Sequence, residues 1–289
     1  MTNETSALPA AAGGTVTIGG ELTVNRLGYG AMRLTGPGVW GPPADRQNAV
    51  SVLRRSVELG VDFIDTADAY GPAVSEELIH EALHPYEGVT IATKGGYVRG
   101  GPGEWQALGR PDYLRQCVEL SLRRLGVEAI DLYQLHRIDV NVPLAEQLGV
   151  LKELRTEGKI RHVGLSAVTV AQVEQARNLI EVASVQNSYS VLHRSHDSVV
   201  DYCAAEGMAF IPYFPMGGGD LTGADGPLGT AAKESGATPA QIALAWLLQR
   251  APVVLPIPGT SAIGHLEENV AAASVALPAE LIRTLSDLG

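Results

Sequence analysis

The chain has 289 residues, of which 45% are hydrophobic and 18% are charged, and its net charge is −11. This composition is typical of a globular protein. An acidic balance without a Lys/Arg cluster argues against a nucleic acid or an anionic membrane surface as partner, and no apolar run approaches the roughly 18 residues that span a bilayer. The two cysteines stand outside any CxxC motif, which indicates buried thiols in a reducing compartment.

The chain begins with MTNETSALPAAAGG, which has neither a basic start nor a long apolar core. Residues 1–14 are therefore interpreted as a flexible leader rather than a signal peptide, and the protein is predicted to be cytoplasmic.

Strand and helix patterns alternate along residues 15–289. The stretch 15–32 predicts a β-hairpin with a Gly-Gly turn that leads into a first buried strand. The strands predicted after it are VDFIDT, VTIAT, AIDLYQLH, IRHVGLS, ASVQNSYS, MAFIPYF and VVLPIPG. The helices predicted between them are 47–60, 75–86, 110–126, LAEQLGVLKELRTEG, TVAQVEQARNLI, SHDSVVDYCAAEG and TPAQIALAWLLQR.

This alternation predicts the fold class α/β, with a parallel sheet covered by helices. About eight strand–helix units at this length favour closure into a (β/α)₈ TIM barrel. The expected domain is a single barrel over 15–289, with the N-terminal β-hairpin and additional C-terminal helices. A doubly wound open sheet is the alternative, although no GxGxxG follows the first strand. Loops 33–44, 95–109 and 214–228 follow strands and are expected to cover the active site.

Four different titratable side chains come at or just after the ends of predicted strands. Asp65 ends the second strand, Lys94 the third and His136 the fourth, and Tyr70 follows Asp65 in FIDTADAYGP. Taken alone, that stretch also fits a strand whose last residues cap the next helix. In a barrel, however, all four side chains converge on one mouth. Asp68, in the same stretch, is expected to be a solvated loop carboxylate.

These four side chains suit the donation of a proton to a carbonyl oxygen while a hydride arrives at its carbon. An ammonium at Lys94 is expected to lower the pKa of the Tyr70 phenol, and Asp65 to keep Lys94 charged. His136 is expected to hydrogen-bond and orient the carbonyl oxygen. A rival is an aldolase that forms a Schiff base on Lys94, which requires a neutral amine.

Six stretches of the sequence resemble the aldo-keto reductase superfamily, in the right order over roughly residues 20–288. They are FIDTADAYG, IATKGG, IDLYQLHRID, LRTEGKIRHVGLS, VQNSYS and IPGTSAIGHLEENVAA. The resemblance implies an NADP(H)-dependent carbonyl reductase on a barrel without a Rossmann fold. Tyr70 matches the family's proton donor, and Asp65, Lys94 and His136 match its other catalytic positions.

The resemblance also implies a cofactor site. Ser166 and Gln186 would hydrogen-bond the nicotinamide carboxamide, and Tyr213 would stack on the nicotinamide ring. The stretch PMGGG (215–219) resembles the loop that binds the pyrophosphate. The stretches IPGTS and HLEEN resemble the part of the site that binds the adenosine end. The cofactor-binding residues implied in this way are Gly30, Met32, Asp65, Ser166, Gln186, Tyr213, Phe214, Pro215, Met216, Gly217, Gly219, Pro258, Gly259, Thr260, Ser261, His265, Glu268 and Asn269.

The chain departs from the family at three places. Ala167 stands where the family commonly has an Asn that contacts nicotinamide, and Phe214 where it often has a Ser that binds phosphate. Ser261 and Ala262 replace the usual cations for the 2′-phosphate, which leaves His265 as the nearby cationic candidate. NADPH is the expected cofactor, and NADH is kept as an alternative cofactor.

The stretches RLGYGAMRLTGPGVWGPP, PYFPMGG and ALAWLLQR are similar to a narrower branch, the bacterial pyridoxal reductases. That branch implies reduction of pyridoxal to pyridoxine. Trp40, Tyr97 and Trp105 are predicted to wall a flat aromatic substrate, with ordinary loop packing as the alternative. A non-enzymatic cofactor-binding subunit, like the channel-associated β-subunits of the same family, also stays open. No His/Cys/Asp cluster has metal-ligand spacing, and the expected partner is a small-molecule carbonyl substrate.

Overall fold

Short strands and amphipathic helices alternate in the computed structural model, which describes residues 8–217 and 227–288. The strands are β1 (Thr15–Ile18), β2 (Leu22–Asn25), β3 (Tyr29–Gly30), β4 (Phe63–Asp65), β5 (Thr90–Gly95), β6 (Tyr97–Val98), β7 (Gln106–Ala107), β8 (Ile130–Leu135), β9 (Ile160–Ser166), β10 (Ser184–Gln186) and β11 (Ala209–Phe210). The helices are α1 (Arg46–Glu58), α2 (Val74–Leu83), α3 (Pro111–Leu125), α4 (Leu144–Thr156), α5 (Val170–Arg177), α6 (Asp197–Glu206), α7 (Pro227–Ser235), α8 (Pro239–Arg250), α9 (Ile263–Ala271) and α10 (Ala279–Ser286).

Seven of these strands form one parallel sheet, in the order β3-β4-β5-β8-β9-β10-β11. The predicted eighth strand closes this sheet into a ring. On one side Val254 pairs with Phe210 of β11, and on the other Gly28 and Gly30 donate backbone hydrogen bonds to Pro256 O (2.9 Å) and Pro258 O (3.3 Å). Prolines lack the N–H group that a regular ladder needs, which explains why this segment is irregular. The predicted (β/α)₈ barrel is confirmed, and the open sheet is wrong.

Two glycines let the chain close at this seam. A Cβ atom at Gly30 would lie 2.7 Å from Ile257 O, and one at Gly259 would lie 2.5 Å from Gly30 O. Both distances are shorter than a carbon–oxygen contact allows, so glycine is required where the first and last barrel segments meet.

Local sequence signals set several helix ends. Helix α3 begins at Pro111 and ends before Gly126, which adopts a left-handed conformation (φ 69°), as expected from its sequence. Helix α8 begins with a capping box between Thr238 and Gln241. Two long loops contain unpredicted structure. Loop 95–109 holds the hairpin β6–β7, and α7 starts within the predicted loop 214–228.

The β1–β2 hairpin packs against the end of the barrel opposite the predicted site. Its Val16 and Ile18 share a core with Phe63 and Ala209, the first residues of β4 and β11. Part of the predicted flexible leader is also packed, because Ala10 is buried in a 3₁₀ helix (Pro9–Gly13) and donates a hydrogen bond to Leu59 O. The leader prediction is wrong for that part, and residues 1–7 lie outside the described residues.

No helix in the described part of the chain is long and apolar enough to cross a bilayer. Both cysteines are buried, and neither forms a disulfide.

Candidate active site

The barrel brings the four predicted catalytic side chains together. Asp65 is the last residue of β4, Lys94 lies near the end of β5, and His136 directly follows β8. These strands are neighbours in the parallel sheet, so their carboxyl ends meet at one edge. Tyr70 lies in the loop between β4 and α2, which folds back so that its hydroxyl reaches Lys94.

The Lys94 ammonium lies at the centre of this cluster and is fully buried. Its Nζ lies 2.5 Å from Asp65 Oδ1, 2.8 Å from Thr66 O and 3.4 Å from the Tyr70 hydroxyl oxygen. The three N–H donors of an ammonium are thereby all directed at oxygen atoms. The second Asp65 oxygen accepts hydrogen bonds from Gln134 (3.1 Å) and Gln186 (2.8 Å).

The electrostatics keep the lysine charged and the phenol protonated. Burial opposes the ammonium, but Asp65 and Tyr70 outweigh it and raise the pKa of Lys94. Burial raises the pKa of Tyr70 above its usual value, although Lys94 acts in the opposite direction. The predicted effect of Lys94, which lowers the pKa of Tyr70, is therefore present, but desolvation of the phenolate and the nearby Asp65 charge outweigh it, so the net shift is upward.

His136 lies across the cluster as a neutral ring. Burial first, and then the positive charges of Lys94, Arg137 and Arg99, hold its pKa well below the usual value. Its ring packs edge-on against Tyr97, with centroids 4.6 Å apart, and against Tyr70 at 5.9 Å. Its Nδ1 is buried and has no hydrogen-bond partner among the described residues, and the residue lines the cavity described below.

Asp68 is not in solvent, and the prediction that placed it there is wrong. It is 9% exposed, and its Oδ1 has no hydrogen-bond partner among the described residues. Burial and the neighbouring charge of Glu76 raise its pKa to about 7. The loop folds back over β5, where Asp68 N donates to Lys94 O, and this long-range contact turns the carboxylate inward.

A cavity of about 640 Å³ opens above these residues, within the range of ligand pockets. It is lined by most of the predicted residues, namely Gly30, Met32, Asp65, Tyr70, Tyr97, Trp105, His136, Ser166, Gln186, Tyr213, Phe214, Pro215, Met216, Gly259, Thr260 and Ser261. Lys94 lies beneath it, in contact with Asp65 and Tyr70.

Several predicted residues do not reach the lining. They are Trp40, Gly217, Pro258, His265, Glu268 and Asn269. The Trp40 ring instead faces the Arg99 guanidinium, whose carbon lies 5.7 Å from the ring centroid, and the neighbouring Val39 lines the cavity. His265 is exposed on α9, and the Glu268 carboxylate accepts a hydrogen bond from Thr238 at the start of α8. Gly219 lies outside the described residues.

Two arginines at the cavity were missed by sequence reasoning. Arg137 donates hydrogen bonds to Ser166 Oγ (3.0 Å) and to the Tyr213 hydroxyl (3.2 Å). Arg33 lies at the rim beside Gly259. Each arginine comes within a few residues after a strand of the barrel, and this position in the sequence could have indicated that it lies at the cavity.

The residues predicted to hold nicotinamide form one connected group. The Gln186 amide nitrogen donates to Asp65 and to Gln134, which turns its carbonyl oxygen away from these bonds. Ser166 Oγ accepts from Arg137, so its own proton stays available for a ligand. Ala167, where an Asn was expected from the resemblance, has a left-handed backbone (φ 55°).

Comparison with known proteins gives the family. The model of the aldo/keto reductase family matches residues 26–289. The chain belongs to the aldo/keto reductase family. It is 49% identical to an uncharacterized oxidoreductase of Schizosaccharomyces pombe, over all of this chain and 94% of the relative. It is 45% identical to pyridoxine 4-dehydrogenase of Escherichia coli, over 93% of this chain and 96% of the relative.

A solved structure of an aldo-keto reductase from Klebsiella pneumoniae in complex with NADPH has the same fold. It superposes with a TM-score of 0.82 at 26% identity, over 95% of this chain and 94% of that one. The predictions of an aldo-keto reductase and of an oxidoreductase that uses NADP(H) are thus confirmed at the level of the family.

Proposed function

We propose that this aldo/keto reductase reduces an aldehyde or ketone to an alcohol with NADPH, and that Tyr70 is the proton donor. The observation that carries the proposal is the buried Lys94 ammonium, which contacts both the Asp65 carboxylate and the Tyr70 hydroxyl under a cavity. General acid catalysis needs a group that donates a proton to the carbonyl oxygen and a nearby charge that offsets the negative charge of its conjugate base, and Tyr70 and Lys94 are placed for these two roles.

In the proposed reaction, the carbonyl oxygen lies between Tyr70 and His136. Neutral His136 orients the carbonyl through a ring nitrogen. NADPH, when bound, supplies the hydride that reaches the carbonyl carbon. The Tyr70 hydroxyl gives its proton to the carbonyl oxygen, and the phenolate left behind is stabilised by Lys94. Asp65 keeps Lys94 charged throughout, because desolvation alone would favour the neutral amine.

The cavity residues fit the cofactor. The Ser166 hydroxyl and the Gln186 carbonyl oxygen suit the two ends of a carboxamide, and the Tyr213 ring suits stacking on nicotinamide. Arg33 is a cation near Gly259 and Ser261, and guanidinium groups suit phosphate. We assign the phosphate contact to Arg33 rather than to His265, because Arg33 lines the cavity.

We further propose that the substrate is a flat aromatic aldehyde such as pyridoxal. Two observations support this choice. The aromatic rings of Tyr97 and Trp105 wall the cavity with centroids 5.3 Å apart, and the relative of 45% identity is named pyridoxine 4-dehydrogenase. We assign the activity to the cytoplasm, which is consistent with two buried, unpaired thiols.

The test is NADPH oxidation with a panel of aldehydes that includes pyridoxal. Turnover of any aldehyde supports the oxidoreductase, and preference for pyridoxal supports the substrate. NADPH binding without turnover would instead indicate a regulatory cofactor-binding subunit. Borohydride trapping of a substrate on Lys94 would indicate an aldolase, which the Asp65–Lys94 ion pair disfavours.

A further inference from the structure

Arg99, in the turn of the β6–β7 hairpin, uses its whole guanidinium group to bind backbone. A guanidinium has five N–H donors, and each finds a carbonyl oxygen here. The acceptors are Glu104 O (2.8 Å), Val39 O (2.8 Å), Ala69 O (2.7 Å), Gly38 O (2.9 Å) and Gly101 O (3.3 Å). One side chain thereby joins three segments: the loop at 38–39, the loop that carries Tyr70, and its own hairpin.

One of these acceptors belongs to a strained residue. Val39 has a left-handed backbone (φ 56°), which is a strained outlier for a β-branched residue. Its carbonyl accepts from Arg99 and from Gly71 N (3.2 Å), and its side chain lines the cavity. Arg99 therefore helps to hold a strained residue at the place where it faces the substrate.

The face of the same guanidinium stacks on the indole of Trp105, with the guanidinium carbon 3.6 Å from the ring centroid. Trp105 is 36% exposed, and its ring lies edge-on to Tyr97 (5.3 Å) and to Tyr70 (6.4 Å). Arg99 thus fixes one wall of the cavity from behind, and through Ala69 it also fixes the backbone next to Tyr70.

We propose that Arg99 is a positioning residue that sets the substrate preference of the site. By locking Val39, Ala69 and Trp105 in one arrangement, it keeps a slot for a flat aromatic aldehyde. The inference rests on the proposed carbonyl reduction. Arg99 does not line the cavity, and no contact joins it to Ser166, Gln186 or Tyr213 among the described residues, so NADPH binding is expected to be independent of it.

The experiment compares Arg99→Met and Arg99→Lys with Arg110→Met. Arg110 is an exposed arginine paired with Asp112 on the surface, which makes it a matched control. For each variant, NADPH affinity is measured by titration, and kcat and KM are measured for pyridoxal and for propanal. We expect Arg99→Met to raise KM for pyridoxal by at least about tenfold. The KM for propanal should change less than about threefold, and NADPH affinity should stay constant.

Arg99→Lys should resemble Arg99→Met, because lysine has three donors and no planar face to stack on Trp105. Full retention of the pyridoxal preference in both variants, or an equal loss for both aldehydes, would overturn the proposal. If Arg99→Met does not fold, Trp105→Leu must produce the same shift in preference, and its absence overturns the proposal too. A wild-type protein that turns over no aldehyde of the panel contradicts the proposed function instead.

Discussion

Asp65 and Lys94 form a buried ion pair at the centre of the site. Lys94 is fully buried and Asp65 is 2% exposed, so neither charge is solvated by bulk water. Such a pair is costly to bury, and breaking it by removing one partner is costlier still, because an uncompensated charge remains. The ion pair is therefore expected to affect the free energy of unfolding, independently of any effect on catalysis.

Lys94→Met is predicted to lower the free energy of unfolding at neutral pH by about 3–5 kcal/mol, because it removes one partner of a buried ion pair. Urea unfolding measures the loss. The double variant Lys94→Met with Asp65→Asn should recover much of it, because no buried charge is left. Equal stability of the single and double variants would contradict this account of the pair.

Asp68 gives a pH-dependent prediction. Burial first, with the charge of Glu76, raises its pKa to about 7 in the folded protein, against about 3.9 in the unfolded chain. The folded state therefore holds the Asp68 proton more tightly than the unfolded chain does. The stability that this difference in proton binding contributes is lost as the pH rises from about 4 to about 7. Asp68→Asn, which cannot ionise, should flatten this slope and should be more stable than wild type above pH 7.

Urea midpoints across this pH range check the prediction, with Asp287→Asn as the control because Asp287 is exposed. An unchanged slope in Asp68→Asn would contradict the raised pKa of Asp68, and the same flattening in the control would show that the effect is not specific to this buried carboxyl group.

At the scale of secondary-structure elements, the site depends on how the last barrel segment meets the first. Gly259 lines the cavity and also approaches Gly30 O so closely that a Cβ would lie 2.5 Å away. The seam of the barrel and the proposed adenosine end of the cofactor site are therefore the same piece of backbone.

Gly259→Ala is predicted to cost about 1–3 kcal/mol of stability by overpacking and to weaken NADPH binding, because the seam must open. The control is Gly149→Ala in α4, where a Cβ would meet no atom within 4 Å. That change should stabilise the protein by about 0.5–1 kcal/mol, since alanine is the better helix former. Urea unfolding and NADPH titration measure both effects. If Gly259→Ala is destabilised but binds NADPH with full affinity, the cofactor site does not depend on the seam of the barrel, and this account is contradicted.

At the scale of the whole molecule, the barrel and the positions of the side chains proposed to be catalytic could be predicted from the sequence. Strand ends are local features, and parallel strands bring their carboxyl ends to one edge, so Asp65, Lys94 and His136 meet wherever the sheet closes. The position of Tyr70 could be predicted as well, because it comes soon after Asp65 in the chain and must therefore lie near the same edge.

The features that were missed depend on contacts between distant segments. The burial of Asp68 requires its loop to fold over β5, and no local pattern encodes that. The net pKa shift of Tyr70 depends on how completely the phenol is desolvated. Arg99 and Arg137 bind backbone and side chains far away in sequence; the position of Arg137 just after β8 indicates that it lies near the site, but the sequence does not indicate the partners of either arginine.

The central claim is that Tyr70 gives the proton, and single-turnover hydride transfer in Tyr70→Phe tests it most directly. Phenylalanine keeps the ring and its packing against His136 and Trp105 but has no proton to donate. The account predicts a loss of roughly 10²–10⁴-fold in the rate of hydride transfer, with NADPH affinity and the urea midpoint nearly unchanged. A Tyr70→Phe protein that reduces aldehyde at close to the wild-type rate would contradict it, because the proton would then come from another group such as His136.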